Sequence, residues 1–538
     1  MKRPLAVLML IIGSCYFAYS QNVDDFFITD SIREIRITFP VENWTYYLDS
    51  LRLNGDDFLE GTIEAHGFKF DGAGVQYTAS RAFSPGSLRN GLTIKLNNKI
   101  RVANLQGHRS LYLSPALRDP SMVREVLGYE IARTYMPAPK ANYVKVYIND
   151  SYYGLFVNVE GVDERPFLRR NFDNSRAAVF IAKKNLTDQA PEGCRNGIYG
   201  ALEYEASTDC YEYNFELRNN ANPERLLQLA KTLEEEPAKA GQFLDLDKTL
   251  WWLAFNNLTV NLNSYLGKHS THYALCEDKE GKLAPVPMDL NLAFGSYKNT
   301  GEGSDLRTRQ LISLDPMLHA DNPYKPLVSK LLASENNRKI YLAHYRTIFN
   351  DWFKSGKYEA RARELQQLIR PALEADQNWA YTLEDFDESL EKTIGKQSKI
   401  PGIVQLMSRR IEFLKKNGLL DLVAPVVEEV NVARRKPMSK DTIDNFSISV
   451  SVSNLPQEVW LYYKSSETQP YARVKMVDDG KHHDGAAGDG VFGAVIEPEG
   501  ANGEIWYYIV AENAGALAFY PAQYMREPLH VTLAELNK

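Results

Sequence analysis

The sequence predicts an α+β protein: a strand-rich front half joined to a helix-rich back half, two lobes around a cleft, then an all-β sandwich of immunoglobulin or fibronectin type. Three observations predict it. From residue 24 to about 165, short segments alternate polar and apolar residues at the period of a strand. From about 223 to 423, apolar residues recur at helical spacing. Beyond 440, short strands return at close intervals between Gly, Asp and Asn turns.

The elements follow in order. The opening MKRPLAVLMLIIGSCYFAYSQN has two basic residues, an apolar run and then small residues, the layout of a secretory signal peptide over 1–20 with cleavage after Ser20. A lipobox reading, with Cys15 lipidated, fits less well because Ile12 and the aromatic stretch YFAY surround it. No later segment has the roughly 18 apolar residues that span a bilayer. In the strand-rich lobe (24–172), SIREIRITF, GTIEAHGFKF, NGLTIKLNN and NYVKVYIND read as strands, and NDSYYGLFVNVEGV as a hairpin turning at Asn149–Ser151. One helix interrupts them, DPSMVREVLGYEIARTYM.

Residues 173–222 read as a loop-rich insertion in which Cys194 and Cys210 would pair in an oxidising compartment. Cys276, in an apolar run, reads as a buried inert thiol. The helix-rich lobe (223–423) holds PERLLQLAKTLEEE and DKTLWWLAFNNLTVNL, then a strand pair turning at Glu280-Gly281, then helices to 420. The segment 424–440 reads as a polar linker, and 441–538 as the sandwich.

A net charge of −7 argues against nucleic-acid binding, and no carboxylate pair of the glycosidase kind stands out. The stretch LAPVPMDLNLAFGSY sets Asp289 in an apolar run, ahead of Asn291 and Gly295. Such an aspartate either caps a turn or holds a metal at a strand end. FDGAGVQY offers Gly72 and Gly74 as a hairpin whose backbone N–H groups would cover a phosphate, with Arg81 and Lys95 close behind; the bland alternative is an ordinary Gly turn and exposed basic residues. Glu125, in the first turn of its helix, is favourable there through the helix dipole alone. GDGVFG formally matches a dinucleotide fingerprint, but strands flank it and no helix follows. In the loop before it, Asp479, Asp484 and Asp489 are either calcium ligands or Asp-Gly turns.

Two long ordered segments, 107–168 (GHRSLYLSPALRDPSMVREVLGYEIARTYM through GVDERPFL) and 261–295 (NLNSYLGKHSTHYALCEDKEGKLAPVPMDLNLAFG), resemble the signatures of the CotH kinase family, the secreted spore-coat-type atypical protein kinases. In element order the resemblance covers roughly 27–420. It implies a two-lobed kinase-like fold that binds ATP with Mg2+ or Mn2+ and phosphorylates Ser or Thr of exported proteins. By the same resemblance Glu125 matches the helix glutamate, Glu160 the strand acid, Asn261 the first Asn of N-x-D-x-Y, and Asp289 the metal-holding Asp of W-D-x-D.

The chain departs from that pattern where chemistry is expected. Asn263 replaces the presumed catalytic base, Asn291 replaces the second Asp, Met288 replaces Trp, and Lys95 is the nearest lysine to the ATP-anchoring position. Asn cannot accept a proton, although its carbonyl oxygen orients a hydroxyl or meets a metal. Two readings therefore stand: a kinase, impaired to whatever degree, or a pseudokinase scaffold acting as a surface or envelope binding protein. Either one is secreted, periplasmic or on the cell surface, with an exported protein as substrate or partner.

Overall fold

The computed structural model describes residues 24–79, 82–183, 189–396, 398–435, 445–467, 469–497 and 503–537. The expected signal peptide, Cys15 and Arg81 lie outside the described residues.

Strand β1 (Arg33–Thr38) is followed by helix α1 (Trp44–Asn54) and the meander β2 (Leu59–Ala65), β3 (Phe68–Tyr77), β4 (Leu92–Lys95) and β5 (Ser110–Ser114). Helix α2 (Arg124–Tyr135) leads into the hairpin β6 (Ala141–Ile148) and β7 (Ser151–Val159). The order β1-β2-β3-β4-β5-β7-β6 closes into a barrel because β6 also pairs, in parallel, with β1. Alternation does the work: Ile35, Ile37, Ile63, Val75, Ile94 and Val146 all turn inward and are fully buried or nearly so. The stretch GTIEAHGFKF, read as one strand, is a hairpin bent at His66 and Gly67, both at positive φ. Helix α1 was not read from the sequence. It buries only Leu48 fully, so its apolar periodicity is faint.

After the barrel come α3 (Arg165–Phe172), β8 (Val179–Ala182), α4 (Thr208–Asn214), β9 (Phe215–Arg218), α5 (Glu224–Glu235), α6 (Leu246–Leu258), β10 (Tyr273–Glu277) and β11 (Leu283–Pro287). The expected loop-rich insertion is in fact half of a sheet, for β8 and β9 pair with the later hairpin in the order β11-β10-β8-β9. Helices α7 (Thr308–Ile312), α8 (Pro326–Leu332), α9 (Glu335–Ile348), α10 (Lys357–Glu374), α11 (Leu383–Glu388) and α12 (Ile403–Leu414) complete the domain. Their core is continuous with α2, which packs its Val126, Leu127 and Ile131 among them.

The C-terminal part holds β12 (Val426–Arg435), β13 (Asn445–Ser453), β14 (Glu458–Lys464), β15 (Ala472–Met476), β16 (Val491–Ile496), β17 (Glu504–Glu512), β18 (Leu517–Tyr520) and β19 (Leu529–Thr532). Two sheets result, β12-β13-β16 and β15-β14-β17 with β18 and β19 on β17. The segment expected to be a linker is therefore largely strand: Val427, Val430 and Val432 pack on the sandwich core while polar residues face out. The sandwich rests on α6 and α9. Tyr524 donates to Asp247 at 2.5 Å, and buried His344 stacks between Trp251 and Phe519. Among the described residues no helix is long and apolar enough to cross a membrane.

Candidate functional site

Two chain crossings build the region around Asp289. Helix α6 ends at Leu258, and the carbonyls of Thr259 and Val260 accept the N–H groups of Phe294 and Gly295. The hairpin β10–β11 then carries the chain from His272 to Met288, whose N–H donates to the His272 carbonyl at 3.1 Å. His272 and Asp289 thus flank the open end of one hairpin. Both have left-handed backbones, φ 58° and 50°, a conformation that costs a non-glycine residue about 1 kcal/mol or more and gathers at functional sites.

His272 Nδ1 lies 2.7 Å from Asp289 Oδ2. The Asp289 side chain is 56% exposed and that of His272 37%, so the pair faces solvent. The surrounding protein disfavours the Asp289 charge, yet the hydrogen bond and charge of His272 hold its carboxyl below the usual range. Asn263 Nδ2 donates to the Asp289 carbonyl at 3.2 Å, leaving the Asn263 side-chain oxygen for a ligand. Asn291 lies half-buried in the 3-10 turn that follows Asp289.

Helix α2 closes the site from the barrel side. Gly128 lets it sit against that turn, since a Cβ there would come within 3.1 Å of Leu290. Arg124 is spent on structure: it pairs with buried Asp119 at 2.5 Å and donates to the carbonyls of Ala293 and Pro401. Glu125, next in sequence, is buried, and its Oε2 has no hydrogen-bond partner. Burial, aided by the charges of Asp289 and Asp119 and opposed by the Ser114 hydroxyl, pushes Glu125 up to about 8. Its surroundings therefore favour the neutral carboxyl. The Tyr129 ring lies one turn along, facing the backbone of Asp289 and Leu290.

These groups have the oxygen chemistry a divalent cation takes, although Glu125, Asp289 and His272 do not bring three ligand atoms within 4.8 Å of one another. The orphaned Glu125 oxygen, within electrostatic reach of Asp289, and the Asn263 side-chain oxygen are hard-oxygen donors short of positive charge. They fit a lysine-anchored triphosphate badly. Lys95 lies across the barrel wall on β4, opposite Gly74 and Ser110, with its ammonium 5.4 Å from the Phe58 ring centre. Among the described residues no Lys or Arg pairs with Glu125.

Other expected residues stand elsewhere. Glu160 is not a cofactor ligand by its contacts, because both oxygens meet Arg170 and one accepts the Lys140 N–H at 3.0 Å. Gly74 is not in a loop but inside β3, where a Cβ would lie 2.7 Å from that of Phe58. Asn261 is fully buried and donates to Asn256 at 2.7 Å, which shapes the segment after α6, while its side-chain oxygen has no partner. The three loop aspartates are occupied with backbone. Asp484 accepts from Asp479, Gly480 and His482, Asp489 from Ala486 and Val491, and Asp479 from Lys481. They do not converge on one point as ligands; among the described residues the one group of three close His, Cys or acidic ligand atoms is Cys194, Glu205 and Cys210. Both thiols of that group are consumed by the Cys194–Cys210 disulfide, with Cα atoms 5.5 Å apart, and Cys276 is a buried free thiol.

Two site residues escaped the sequence reading. His272 needed the hairpin register to be placed opposite Asp289. Lys325 is buried just before α8, and its ammonium donates to the carbonyls of Tyr265 and Gly267 and to the Ser270 hydroxyl, pinning the segment from Asn263 to His272. No local pattern announces it.

Comparison with known proteins agrees with this architecture. A family model described as CotH kinase protein matches residues 69–398, more than half of the chain, and one described as conditioned medium factor 2nd Ig-like domain matches residues 467–513, over β15 to β17. The chain is 22% identical over 296 residues to the inner spore coat protein H of Bacillus subtilis (strain 168), covering 52% of this chain and 74% of that protein. The protein belongs to the CotH kinase protein family and carries a C-terminal Ig-like domain.

Proposed function

We propose that this chain is an exported, two-lobed kinase-like protein whose cleft at Asp289 holds Mg2+ or Mn2+ together with the phosphates of ATP, and in which phosphoryl transfer to Ser or Thr of exported proteins is strongly attenuated. The observation that carries it is the buried Glu125 carboxyl, which feels the Asp289 charge, has an orphaned oxygen and, among the described residues, no Lys or Arg ion pair. A bound divalent cation supplies positive charge to transferring phosphate oxygens. On the protein side, Asp289 and the Asn263 and Asn291 side-chain oxygens would hold the cation. Asn263 also orients an acceptor hydroxyl without removing its proton, which is why transfer is slow rather than forbidden.

A second reading, a non-catalytic surface or envelope scaffold, is favoured by Lys95 standing over Phe58 and by the lack, among the described residues, of any Lys or Arg paired with Glu125. Isothermal titration with ATP in Mg2+ and in Mn2+ separates the two, run on the wild type, Asp289→Ala, and Asn263→Asp with Asn291→Asp. Metal-dependent binding that Asp289→Ala abolishes supports the cleft reading. Transfer gained in the double variant would mark a latent kinase. Silence with both metals in all three proteins would leave the scaffold.

A further inference from the structure

Away from Asp289, a cavity of about 380 Å3 opens where the start of α1, the β6–β7 turn and the chain after α10 meet. Glu42, Trp44, Asn149, Tyr152, Tyr153 and Asn378 line it. Its volume lies in the range, about 300–1,000 Å3, of pockets that take small ligands. None of the groups around Asp289 reaches it.

The wall is aromatic and held in place. Trp44 stacks on Phe39 with ring centres 5.7 Å apart and meets Tyr153 edge-on at 5.6 Å; Tyr153 in turn stacks on Phe156. The Tyr152 hydroxyl donates to the Ala372 carbonyl at 2.9 Å, which fixes that ring across the opening. The polar groups are oriented as well. Asn149 uses its oxygen to accept the Phe39 N–H at 2.8 Å, so its NH2 remains to donate. Asn378 uses its NH2 on the Tyr153 carbonyl at 2.7 Å, so its oxygen remains to accept. Glu42 is exposed and makes no ion pair among the described residues.

Rigid aromatic faces together with one oriented amide donor, one amide acceptor and a free carboxylate match a molecule with apolar C–H faces and a rim of hydroxyls. We infer that this cavity binds a hexopyranose unit, free or at the end of a surface polysaccharide. The ring would lie against Trp44 or Tyr152, with Asn149, Asn378 and Glu42 sharing its hydroxyls. A quaternary ammonium ligand would also use the aromatic faces and Glu42, but it would leave the Asn149 NH2 facing a cation.

Saturation-transfer NMR on the full-length chain, with methyl hexopyranosides, N-acetylhexosamines, a soluble polysaccharide and choline, tests this. Ser151 stands exposed at the rim, so Ser151→Trp fills the opening from the surface; Glu42→Ala removes the carboxylate. Thermal melts verify that both variants fold. The expected result is transfer from at least one pyranoside, lost in Ser151→Trp and at least tenfold weaker in Glu42→Ala. Binding of the polysaccharide alone, with the same losses, would assign the source to a polymer end. No transfer from any sugar, sugar binding indifferent to both variants, or choline binding in place of sugar would each overturn the inference.

Discussion

Replacing Lys325 with Met tests how the site segment is held. Lys325 is 6% exposed and its ammonium makes three hydrogen bonds, to Tyr265 at 3.0 Å and to Gly267 and Ser270 at 2.5 Å each. Losing three charge-assisted bonds costs about 5 to 9 kcal/mol gross, at roughly 1.5 to 3 each. Burial, only partly offset by Glu203 and Glu302, pushes Lys325 down from 10.5 to about 8. At 1.36 kcal/mol per pH decade, carrying the charge inside costs about 3 kcal/mol at pH 7, so the variant should lose a net of about 2 to 6 kcal/mol. The pH dependence has a fixed sign. Below pH 8 the amine is charged in folded and unfolded chains alike; between about 8 and 10.5 the unfolded chain binds more protons, so wild-type stability gains with pH from this group. Urea denaturation at pH 7, 8.5 and 9.5 measures it. The gap between wild type and Lys325→Met should widen with pH, by about 2 kcal/mol between pH 7 and 9.5. Parallel curves, or a gap that narrows, would refute the buried-ammonium account.

Two further outcomes follow from buried and exposed ion pairs. Asp376 meets Arg89 at 2.8 Å, with side chains 0% and 5% exposed, and also accepts the Leu155 N–H. Asp376→Ala strands the guanidinium and should cost about 3 to 5 kcal/mol in urea denaturation, whereas replacing both residues with Leu should recover most of it. His272→Ala frees Asp289 from an exposed pair worth about 0.2 to 1 kcal/mol, so Mn2+ affinity by calorimetry should rise by up to about fivefold. A tenfold loss instead would make His272 a ligand.

Much of the fold was legible because strand alternation and helical periodicity are local. The barrel hairpins and α5, α6 and α9 carry such patterns over seven to fourteen residues. What escaped was short or mixed. Strands β8 and β9 have four residues each, too few for a period, and β12 hides alternating valines among charges that suggested a linker. Asp289 was legible as a carboxylate at the end of an apolar strand. Its surroundings were not, because they depend on register and on distant chain. His272 is seventeen positions upstream, and Lys325 serves a segment about sixty positions before it. Lys95, the nearest lysine to the ATP-anchoring position, was misplaced for a related reason: β4 alternates, and Ile94 takes the inward face that leaves Lys95 outside.

The Asn residues at 263 and 291 and the neutral Glu125 belong to one electrostatic balance. Asp119 is paired with Arg124 and Asp289 is hydrogen-bonded to His272, while among the described residues no Lys or Arg pairs with Glu125. Burial among like charges is then relieved by protonation, which is the state the raised Glu125 adopts. Aspartates at 263 and 291 would add two negative charges to the same region without adding a counter-charge. In the metal-free protein, Asn263→Asp with Asn291→Asp should therefore lower the melting temperature. With Mn2+ the same charges become ligands, and binding to the folded state alone should raise it, by an amount that grows with metal concentration. A double variant whose melting temperature is indifferent to metal would show that the two positions do not face a common cation, and the electrostatic link between Glu125 and Asp289 would then describe packing alone.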